Sequence, residues 1–281
     1  MLKKLVMTGL IACLFSCTAT LEENKFIAQS KEVNLYDNET VNDWKKQFPE
    51  HELNTISLKT ADESAQLEGL YLDNPKSNTL LFLIQGNGME VKKGGIDMLH
   101  SLALLPVDIL IFDRRGVGAS SGEATFNNLI SDINEQFHFI KSKFKSDKDI
   151  VHGYSFGSFI AAQLAKSQNI DALVLQGTAT NVDDWIEAKT PWYVQPFLTV
   201  NIDPVFHLVD NQVVVAEQYQ NPLLIIAGEK DQQVPAELSQ QLYNASQSKN
   251  KKLIIVEGAN HGDMFKDPAT TATYIEFLAT L

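Results

Sequence analysis

Three residues of this sequence carry the side chains that nucleophilic acyl transfer requires: Ser155, Asp231 and His261. A serine hydroxyl is a weak nucleophile at neutral pH and becomes reactive when a histidine accepts its proton. The histidine in turn needs a carboxylate that orients the ring and stabilises its charged form. Each of the three residues follows a short apolar run that is typical of a buried strand. Because the strands of a parallel sheet end at one edge, we expect the three side chains to meet there.

The serine lies in a Gly-x-Ser-x-Gly pentapeptide, residues 153–157. The apolar approach over 149–154 predicts a buried strand, and the apolar spacing over 156–165 predicts a helix. Ser155 is therefore expected on a strand-to-helix turn. Glycines at both ends of the pentapeptide suit such a turn, because a Cβ there would clash where the two backbones approach each other. The pentapeptide alone is also compatible with an ordinary loop, and its strand-then-helix setting is what favours a nucleophile.

The acid and the histidine follow two further predicted strands, 223–227 and 253–256. Asp231 lies in the sequence GEKDQQVP, and His261 lies in GANHGD. Two alternatives stand beside a catalytic acid: Asp231 could belong to the cap of the helix that follows, and Glu229 is a second carboxylate two residues away. His261 could be a loop histidine without a chemical role, but the other five histidines are placed less well, in a strand, on or beside helices, or in a long connection.

Together these patterns resemble the motifs of the α/β-hydrolase superfamily, in particular the monoacylglycerol lipase and serine aminopeptidase groups. Three motifs occur in the order that this fold requires: first the nucleophile motif, then Gly-x-x-Asp-x-x-Val-Pro, and last Gly-x-x-His. The resemblance covers approximately residues 80–281 and five motifs. It implies an α/β-hydrolase fold in which Ser155 attacks an acyl carbonyl, His261 transfers the proton and Asp231 orients the histidine.

The loop over residues 85–88, with the sequence QGNG, resembles the His-Gly-Asn-x-Gly loop of the same family. The resemblance implies that the backbone N–H of Asn87 donates to the oxyanion, together with the backbone N–H of Phe156. The family histidine is Gln85 here, which leaves the backbone donor in place but changes the side chain that supports the loop. The stretch 112–122 resembles a further family block, Asp-x-Arg-Gly-x-Gly-x-Ser, whose role in the family is mainly architectural.

Apolar runs and helical stretches alternate along the chain and indicate an α/β fold. Near-continuous runs are typical of parallel strands buried on both faces, and they occur at 80–84, 107–112, 150–151, 172–175, 223–227 and 253–256. Helices are predicted at 96–105, 127–144, 156–165, 235–246 and 268–281. An alternating pattern over 53–72 predicts an antiparallel hairpin. The expected architecture is a mostly parallel central sheet with this N-terminal hairpin and helices on both faces.

The connection from residue 181 to about 218, called the lid segment below, is longer than most links between a strand and the next element. It is rich in aromatic residues and proline. Two interpretations are open: a small helical lid whose aromatic side chains wall an acyl pocket, or a pair of extra helices that only pack on the body.

The first residues have the layout of a secretory signal peptide, two lysines before an apolar run too short to span a bilayer. The run ends in Leu-Phe-Ser-Cys, which resembles the bacterial lipobox, where cleavage leaves Cys17 to be acylated. Cys13 offers a competing site, and an uncleaved anchor or a plain secretory peptide are further alternatives. The expected organisation is a signal peptide over 1–16, a lipid-anchored flexible tether over 17–30 and a hydrolase domain over 31–281.

The composition argues against several other functions. The chain of 281 residues carries 23 basic and 35 acidic side chains, a formal charge of −12. Without the two leader lysines the charge is 21 minus 35, or −14, which argues against binding nucleic acid or an anionic membrane through charge. The only two cysteines lie at 13 and 17, so no disulfide is expected after acylation. No ligand spacing suggests a metal and no loop suggests a nucleotide, so neither metal nor cofactor is expected.

The sequence thus predicts a serine hydrolase of a small carboxylic ester or thioester. An amide or peptide hydrolase of the same fold and a catalytically idle, ligand-binding lipoprotein are the alternatives. The expected location is the bacterial cell envelope, at a membrane through the N-terminal lipid and facing the periplasm. Thr18 stands where many lipoproteins of the inner membrane have an aspartate, which favours the outer membrane in a two-membrane bacterium.

Overall fold

The computed structural model describes residues 17–281. The predicted signal peptide, 1–16, and the competing lipobox at Cys13 lie outside the described residues. Within the described part, no helix combines the length and the apolar character needed to cross a membrane. The same part contains no group of three or more His, Cys, Asp or Glu side chains that could hold a metal ion.

Within residues 17–281, eight strands form one sheet and two form a small separate sheet. The ten strands are β1 (Cys17–Leu21), β2 (Glu52–Lys59), β3 (Gln66–Asp73), β4 (Thr79–Ile84), β5 (Asp108–Phe112), β6 (Lys148–Tyr154), β7 (Ala172–Gln176), β8 (Leu198–Ile202), β9 (Leu223–Gly228) and β10 (Lys251–Val256). The large sheet has the order β10-β9-β7-β6-β4-β5-β3-β2. Neighbours from β10 to β5 are parallel, whereas β3 is antiparallel to both β5 and β2. The predicted parallel sheet with an N-terminal hairpin is confirmed.

Helices cover both faces of the large sheet. They are α1 (Glu23–Phe26), α2 (Asn38–Gln47), α3 (Gly95–Leu102), α4 (Phe126–Lys143), α5 (Phe156–Ser167), α6 (Val182–Lys189), α7 (Asn211–Val213), α8 (Ala236–Ala245) and α9 (Pro268–Leu278). Buried side chains of α4, α5 and α8 join the core on one face, and those of α2, α3 and α9 join the core on the other. The five helices predicted from periodicity are α3, α4, α5, α8 and α9, whereas α2 was not predicted.

Side chains of the central strands alternate between the two cores. In β4, Leu80, Phe82 and Ile84 belong to the core under α4 and α5. Leu81 and Leu83 belong to the core under α3 and α9. Because both faces are buried from Leu80 to Ile84, these five positions are all apolar and appear in the sequence as a continuous run. The same packing fixes where β4, β6, β9 and β10 end, and the candidate residues lie in the loops that follow them.

The segment 17–30 packs on the body, which contradicts the flexible tether predicted from its polar composition. β1 pairs in parallel with β8, with Cys17 opposite Leu198. Ile27 is buried in the core, and the Gln29 side chain donates to two carbonyl oxygens of the loop after β5. The physical reason is that polar groups order a segment when the body supplies their hydrogen-bond partners. Residues 17–36 are called the N-terminal strap below.

The lid segment contains α6, β8, α7 and short 3₁₀ and π turns. Its aromatic side chains divide into three groups. Trp185 lines the pocket described below. Phe206 is buried against Phe26 of the strap, with ring centroids 5.2 Å apart. Trp192 and Tyr193 are exposed. The segment therefore contributes a pocket wall, a packed core contact and a separate surface feature.

His152 of β6 is a core histidine, as expected from its position in the strand. It is fully buried, with Nε2 3.1 Å from Oε1 of Gln176 and Nδ1 3.3 Å from the Tyr274 hydroxyl. Burial lowers the pKa of His152 from 6.5 to about 4. As the pH falls, His152 of the unfolded chain therefore becomes protonated near pH 6.5, whereas His152 of the folded chain becomes protonated only near pH 4. Folding stability must fall as the pH drops through this interval, because the unfolded state holds the extra proton.

Between pH 7 and pH 4.5 the wild type should lose about 2 kcal/mol of unfolding free energy because of His152. We expect His152→Gln to lack this part of the pH-dependent loss. Urea unfolding at the two pH values measures this difference. His138→Gln, at an exposed position, is the matched control and should keep the wild-type pH dependence. An identical pH dependence in wild type and His152→Gln would contradict the prediction.

Candidate active site

Ser155 lies between β6 and α5 in a strained backbone conformation, with φ 54° and ψ −122°. A positive φ is rare for a residue with a Cβ and persists only where the surroundings enforce it. A Cβ on Gly157 would lie 2.2 Å from the carbonyl oxygen of Ile84. One on Gly153 would lie 2.6 Å from the Cβ of Ala161. The turn therefore requires both glycines, for the reason that the sequence suggested.

The three predicted side chains form one chain of hydrogen bonds. Ser155 Oγ lies 2.8 Å from His261 Nε2, and His261 Nδ1 lies 2.6 Å from Asp231 Oδ2. Asp231 and His261 are buried. For Nε2 to accept the serine proton, Nδ1 must carry the hydrogen of the neutral ring and donate it to Asp231. The arrangement can thus take the proton from the hydroxyl while holding the ring in the required tautomer.

The carboxylate of Asp231 is fixed by the loop after β9. Its Oδ1 accepts the backbone N–H groups two and three residues further along, at 2.8 and 2.9 Å, and Oδ2 faces His261. The alternative acid, Glu229, is exposed, and its Oε2 accepts the backbone N–H of Gly258 at 2.8 Å. The carboxylate that contacts His261 is therefore Asp231.

Asn87 and Phe156, the expected sources of oxyanion donors, line the same pocket as Ser155. Phe156 is the first residue of α5. Its N–H thus has no acceptor within the helix and lies at the positive end of the helix dipole. Asn87 lies in the loop after β4, the strand that neighbours β6. Both backbones are therefore positioned beside the candidate nucleophile.

The side chain of Asn87 binds the N-terminal strap, a contact that sequence patterns did not reveal. Its Oδ1 accepts the backbone N–H of Ala28 at 2.8 Å, and its Nδ2 donates to the carbonyl oxygen of Phe26 at 2.7 Å. The Arg114 guanidinium donates to the Ala28 carbonyl oxygen at 2.8 Å and to Asn87 Oδ1 at 3.1 Å. Burial lowers the pKa of Arg114 to about 10, so it stays charged at neutral pH. The strap is thereby fixed to the loop that carries a candidate oxyanion donor.

Gln85 supports this loop at the position of the family histidine. Its amide donates to the carbonyl oxygen of Met89 and to Asp113 Oδ1. Asp113 is buried, which raises the pKa of its carboxyl, and it accepts the Tyr36 hydroxyl at 2.6 Å. The stretch 112–122 therefore supports the loop, as the resemblance implies, and through Tyr36 it also holds the strap.

An apolar pocket of about 150 Å³ opens beside Ser155. Its walls are aromatic and aliphatic side chains from α5, α6, the loop after β9 and the strap. Trp185 of α6 and Phe26 of the strap pack edge to face, with ring centroids 5.9 Å apart. Such a pocket suits an apolar group attached to a carbonyl that is held at Ser155.

Phe26 is a pocket residue that the sequence patterns left unassigned. Its ring packs on Phe156, with centroids 6.0 Å apart. Phe26 and Ile27 are the only large apolar residues between positions 22 and 32. This apolar pair inside a polar segment is the signal that points to a packed contact. The strap is thus part of the candidate site.

Two family profiles match consecutive parts of the chain. One, described as alpha/beta hydrolase fold, matches residues 79–201, and the other, described as serine aminopeptidase S33, matches residues 202–268. Among solved structures, esterase Pf2001 of Pyrococcus furiosus has a TM-score of 0.69 at 19% identity, covering 90% of this chain and 99% of that chain. The protein has the α/β-hydrolase fold. Est1E from Butyrivibrio proteoclasticus is similar as well, with a TM-score of 0.62 at 18% identity over 80% of this chain and 99% of that one.

Curated proteins similar in sequence come from several organisms. Lysophosphatidylserine lipase ABHD12 of Mus musculus is 27% identical over 258 residues, 81% of this chain and 62% of its own length. Protein bem46 of Schizosaccharomyces pombe is 24% identical over 254 residues, 85% of this chain and 79% of its own length. An uncharacterized Mycobacterium tuberculosis protein, Rv2307c, is 29% identical over 169 residues, 59% of this chain. The chain spans only 56% of the length of that mycobacterial relative. The profile over residues 79–201 includes Ser155, and the profile over residues 202–268 includes Asp231 and His261.

Proposed function

We propose that this protein is a serine hydrolase that cleaves a carboxylic ester or thioester through an acyl-enzyme. The observation that carries the proposal is the chain of hydrogen bonds from Ser155 through His261 to Asp231, beside an apolar pocket. His261 takes the proton as Ser155 Oγ attacks the acyl carbonyl, and gives it to the leaving alcohol or thiol. Water, deprotonated by the same ring, then attacks the acyl-enzyme and releases the acid.

Negative charge develops on the carbonyl oxygen in both attacks and needs donors that are already in place. We assign this role to the backbone N–H groups of Asn87 and Phe156, two residues that line the pocket together with Ser155. The positive end of the α5 dipole adds to the same potential. One such donor is worth about 10²–10³ in rate. The strap supports the arrangement, since it holds the Asn87 side chain from the other side.

A short or medium-length apolar acyl group is the substrate class that suits the pocket. A volume of about 150 Å³ is below the roughly 300–1,000 Å³ of sites for drug-sized ligands. Two similar proteins, the esterase Pf2001 and the lysophosphatidylserine lipase ABHD12, have names that denote ester hydrolysis. The profile over residues 202–268 is named for a serine aminopeptidase, which makes amide cleavage the second candidate.

The proposed location is the bacterial cell envelope, with lipid anchoring at Cys17 and the body facing the periplasm. The lipobox-like end of the leader supports this proposal. Mass spectrometry of the N-terminal peptide from the membrane fraction distinguishes the outcomes. We expect a peptide that begins with acylated Cys17. A peptide that still carries the leader residues would contradict lipidation and favour an uncleaved anchor.

The proposed activity is tested with p-nitrophenyl esters from acetate to palmitate, using the full chain in detergent. We expect saturable hydrolysis with an optimum at short or medium chain length, and covalent labelling of Ser155 by a fluorophosphonate, located by peptide mass spectrometry. The matching p-nitroanilides rank amide against ester cleavage. Absence of labelling together with absence of hydrolysis would favour the ligand-binding alternative, and labelling of another residue would refute the assigned nucleophile.

Phe26→Ala is expected to lower kcat/KM for an octanoate ester about tenfold and for acetate less than threefold. Removing the ring exposes the acyl chain to water. A loss of about 1.4 kcal/mol of apolar contact energy corresponds to the tenfold decrease in kcat/KM. Phe139→Ala is the matched control, because Phe139 is a half-buried aromatic of α4 that packs on Phe112 and Phe144, outside the pocket. Equal losses for acetate and octanoate would indicate a general structural effect and contradict a pocket-wall role.

A further inference from the structure

Three exposed aromatic side chains, Trp192, Tyr193 and Phe197, lie within six residues of the chain and are called the aromatic patch below. Their exposed fractions are 81%, 61% and 41%. The Trp192 and Tyr193 rings meet edge to face, with centroids 5.9 Å apart. The patch lies on the turn between α6 and β8. Large aromatic surfaces clustered in water are unfavourable, and such a cluster marks a contact with a membrane or another partner.

The chain segments that carry the patch and pair with it contain no charged residue. The 13 residues from Thr190 to Ile202 and the five residues of the pairing strand β1 contain no Asp, Glu, Lys or Arg. At the 21% charged residues of the whole chain, about four would be expected among these 18. Charged residues resume on both sides, at Lys189 and Asp203. Trp and Tyr in an uncharged setting are the composition of protein surfaces at the lipid–water interface.

The sheet pairing brings this segment next to Cys17, where the proposed membrane attachment lies. Cys17 pairs with Leu198, the residue directly after Phe197, and parallel strands lie about 4.8 Å apart. The apolar leader run ends at Phe15, two residues before Cys17. Acylation of Cys17 and retention of the run as an anchor both fix the bilayer at this end of β1.

The remaining patch residues are close enough to reach the same bilayer. Trp192 lies six residues before Leu198, and even a fully extended chain of that length spans only about 20 Å. The actual path is shorter, because the N–H of Val194 bonds to the carbonyl oxygen of Pro191 and the N–H of Phe197 to that of Val194. The whole patch therefore lies beside the attachment point.

We propose that the aromatic patch inserts into the lipid–water interface of the bilayer to which the N-terminus is attached. The partner is the lipid surface itself, and apolar contact supplies the affinity because the patch offers no cation to anionic headgroups. The lid segment then rests on the membrane, and α6, which precedes the patch, carries Trp185 into the pocket of Ser155. The proposal rests on N-terminal attachment and is independent of the proposed hydrolase activity.

The test uses the full chain in phosphatidylcholine liposomes, with and without bromine on the acyl chains, because bromine quenches tryptophan that enters the lipid. The protein contains three tryptophans, of which Trp44 is buried and Trp185 lines the pocket. We expect brominated lipid to quench about a third of the emission of the wild type, at low and high salt alike. Trp192→Phe should abolish this quenching.

The matched control moves the tryptophan to the end of the large sheet at which the parallel strands begin, away from the lid segment. Leu104 is 68% exposed and lies in the loop before β5. Adding Leu104→Trp to Trp192→Phe places the ring at another exposed position, where it should stay unquenched. Absence of quenching in the wild type, including the case in which the protein does not associate with liposomes, would overturn the proposal. Equal quenching of the Leu104→Trp ring would do the same, because the signal would then not depend on the patch.

Discussion

Replacing Ser155 by alanine is expected to lower kcat for ester hydrolysis by about 10⁴–10⁶-fold and to abolish fluorophosphonate labelling. Without Oγ no acyl-enzyme forms, and only binding and the N–H donors remain to assist attack by water. The fold should persist, because alanine removes one hydroxyl and leaves the backbone turn unchanged. Steady-state kinetics on a short ester measure the first effect, and thermal unfolding measures the second.

Ser158→Ala provides the matched control for this experiment. Ser158 is buried in α5, one turn after Ser155, and its hydroxyl is bonded to Thr178 Oγ1 at 2.9 Å. We expect kcat within about threefold of the wild type and a stability loss of about 1 kcal/mol from the lost hydrogen bond. Equal losses of activity in the two variants would attribute the effect to the integrity of α5 and would remove the argument for Ser155 as nucleophile.

The central sheet could be predicted because its buried strands appear in the sequence as short apolar runs. In β4 both faces are covered, so Leu80 to Ile84 appear as one apolar run, and β6 carries a shorter run, Ile150-Val151, before Ser155. The helix α4 shows a regular buried stripe through Leu129, Ile133 and Phe137. Helix α2 was missed because it buries Trp44 alone, and one apolar residue gives no period.

The pairing of β1 with β8 could not be predicted from local patterns. The two strands are about 180 residues apart, and their sequences, CTATL and LTVNI, are short and only partly apolar. Polar composition over 17–30 favoured a tether, whereas the hydrogen-bond donors and acceptors that order the strap lie on the loops after β4 and β5. Such long-range partners are visible only once the body has folded.

The candidate site divides along the same line. The hydrogen-bonded side chains could be predicted because Ser155, Asp231 and His261 each follow a recognisable strand, and parallel strands bring their ends together. The fixing of Asn87 by the strap could not be predicted, because it depends on where residues 26–28 cross the sheet edge. The resemblance to Gly-x-x-Asp-x-x-Val-Pro already favoured Asp231 over Glu229, and the structure adds the contact of Asp231 with His261.

Asp231→Asn is expected to lower kcat by about 10⁴-fold with little change in stability. Two backbone N–H groups donate to Oδ1, so the amide oxygen of asparagine should keep that position and its NH₂ should face His261 Nδ1. Nδ1 must then accept a hydrogen, which places the ring proton on Nε2, opposite Ser155 Oγ. In this tautomer the ring cannot take the serine proton. The measurement is kcat for the same short ester used with Ser155→Ala.

Glu229→Gln tests whether the loss of kcat is specific to the carboxylate that contacts His261 or follows from the loss of any carboxylate in this loop. Glu229 accepts the N–H of Gly258 through Oε2, and the glutamine carbonyl oxygen can replace that acceptor. We therefore expect kcat within about threefold of the wild type. A large loss in Glu229→Gln with near-normal turnover in Asp231→Asn would reassign the acid to Glu229. That result would require the loop after β9 to rearrange during turnover, because its Asp231 carboxylate is the one bonded to His261.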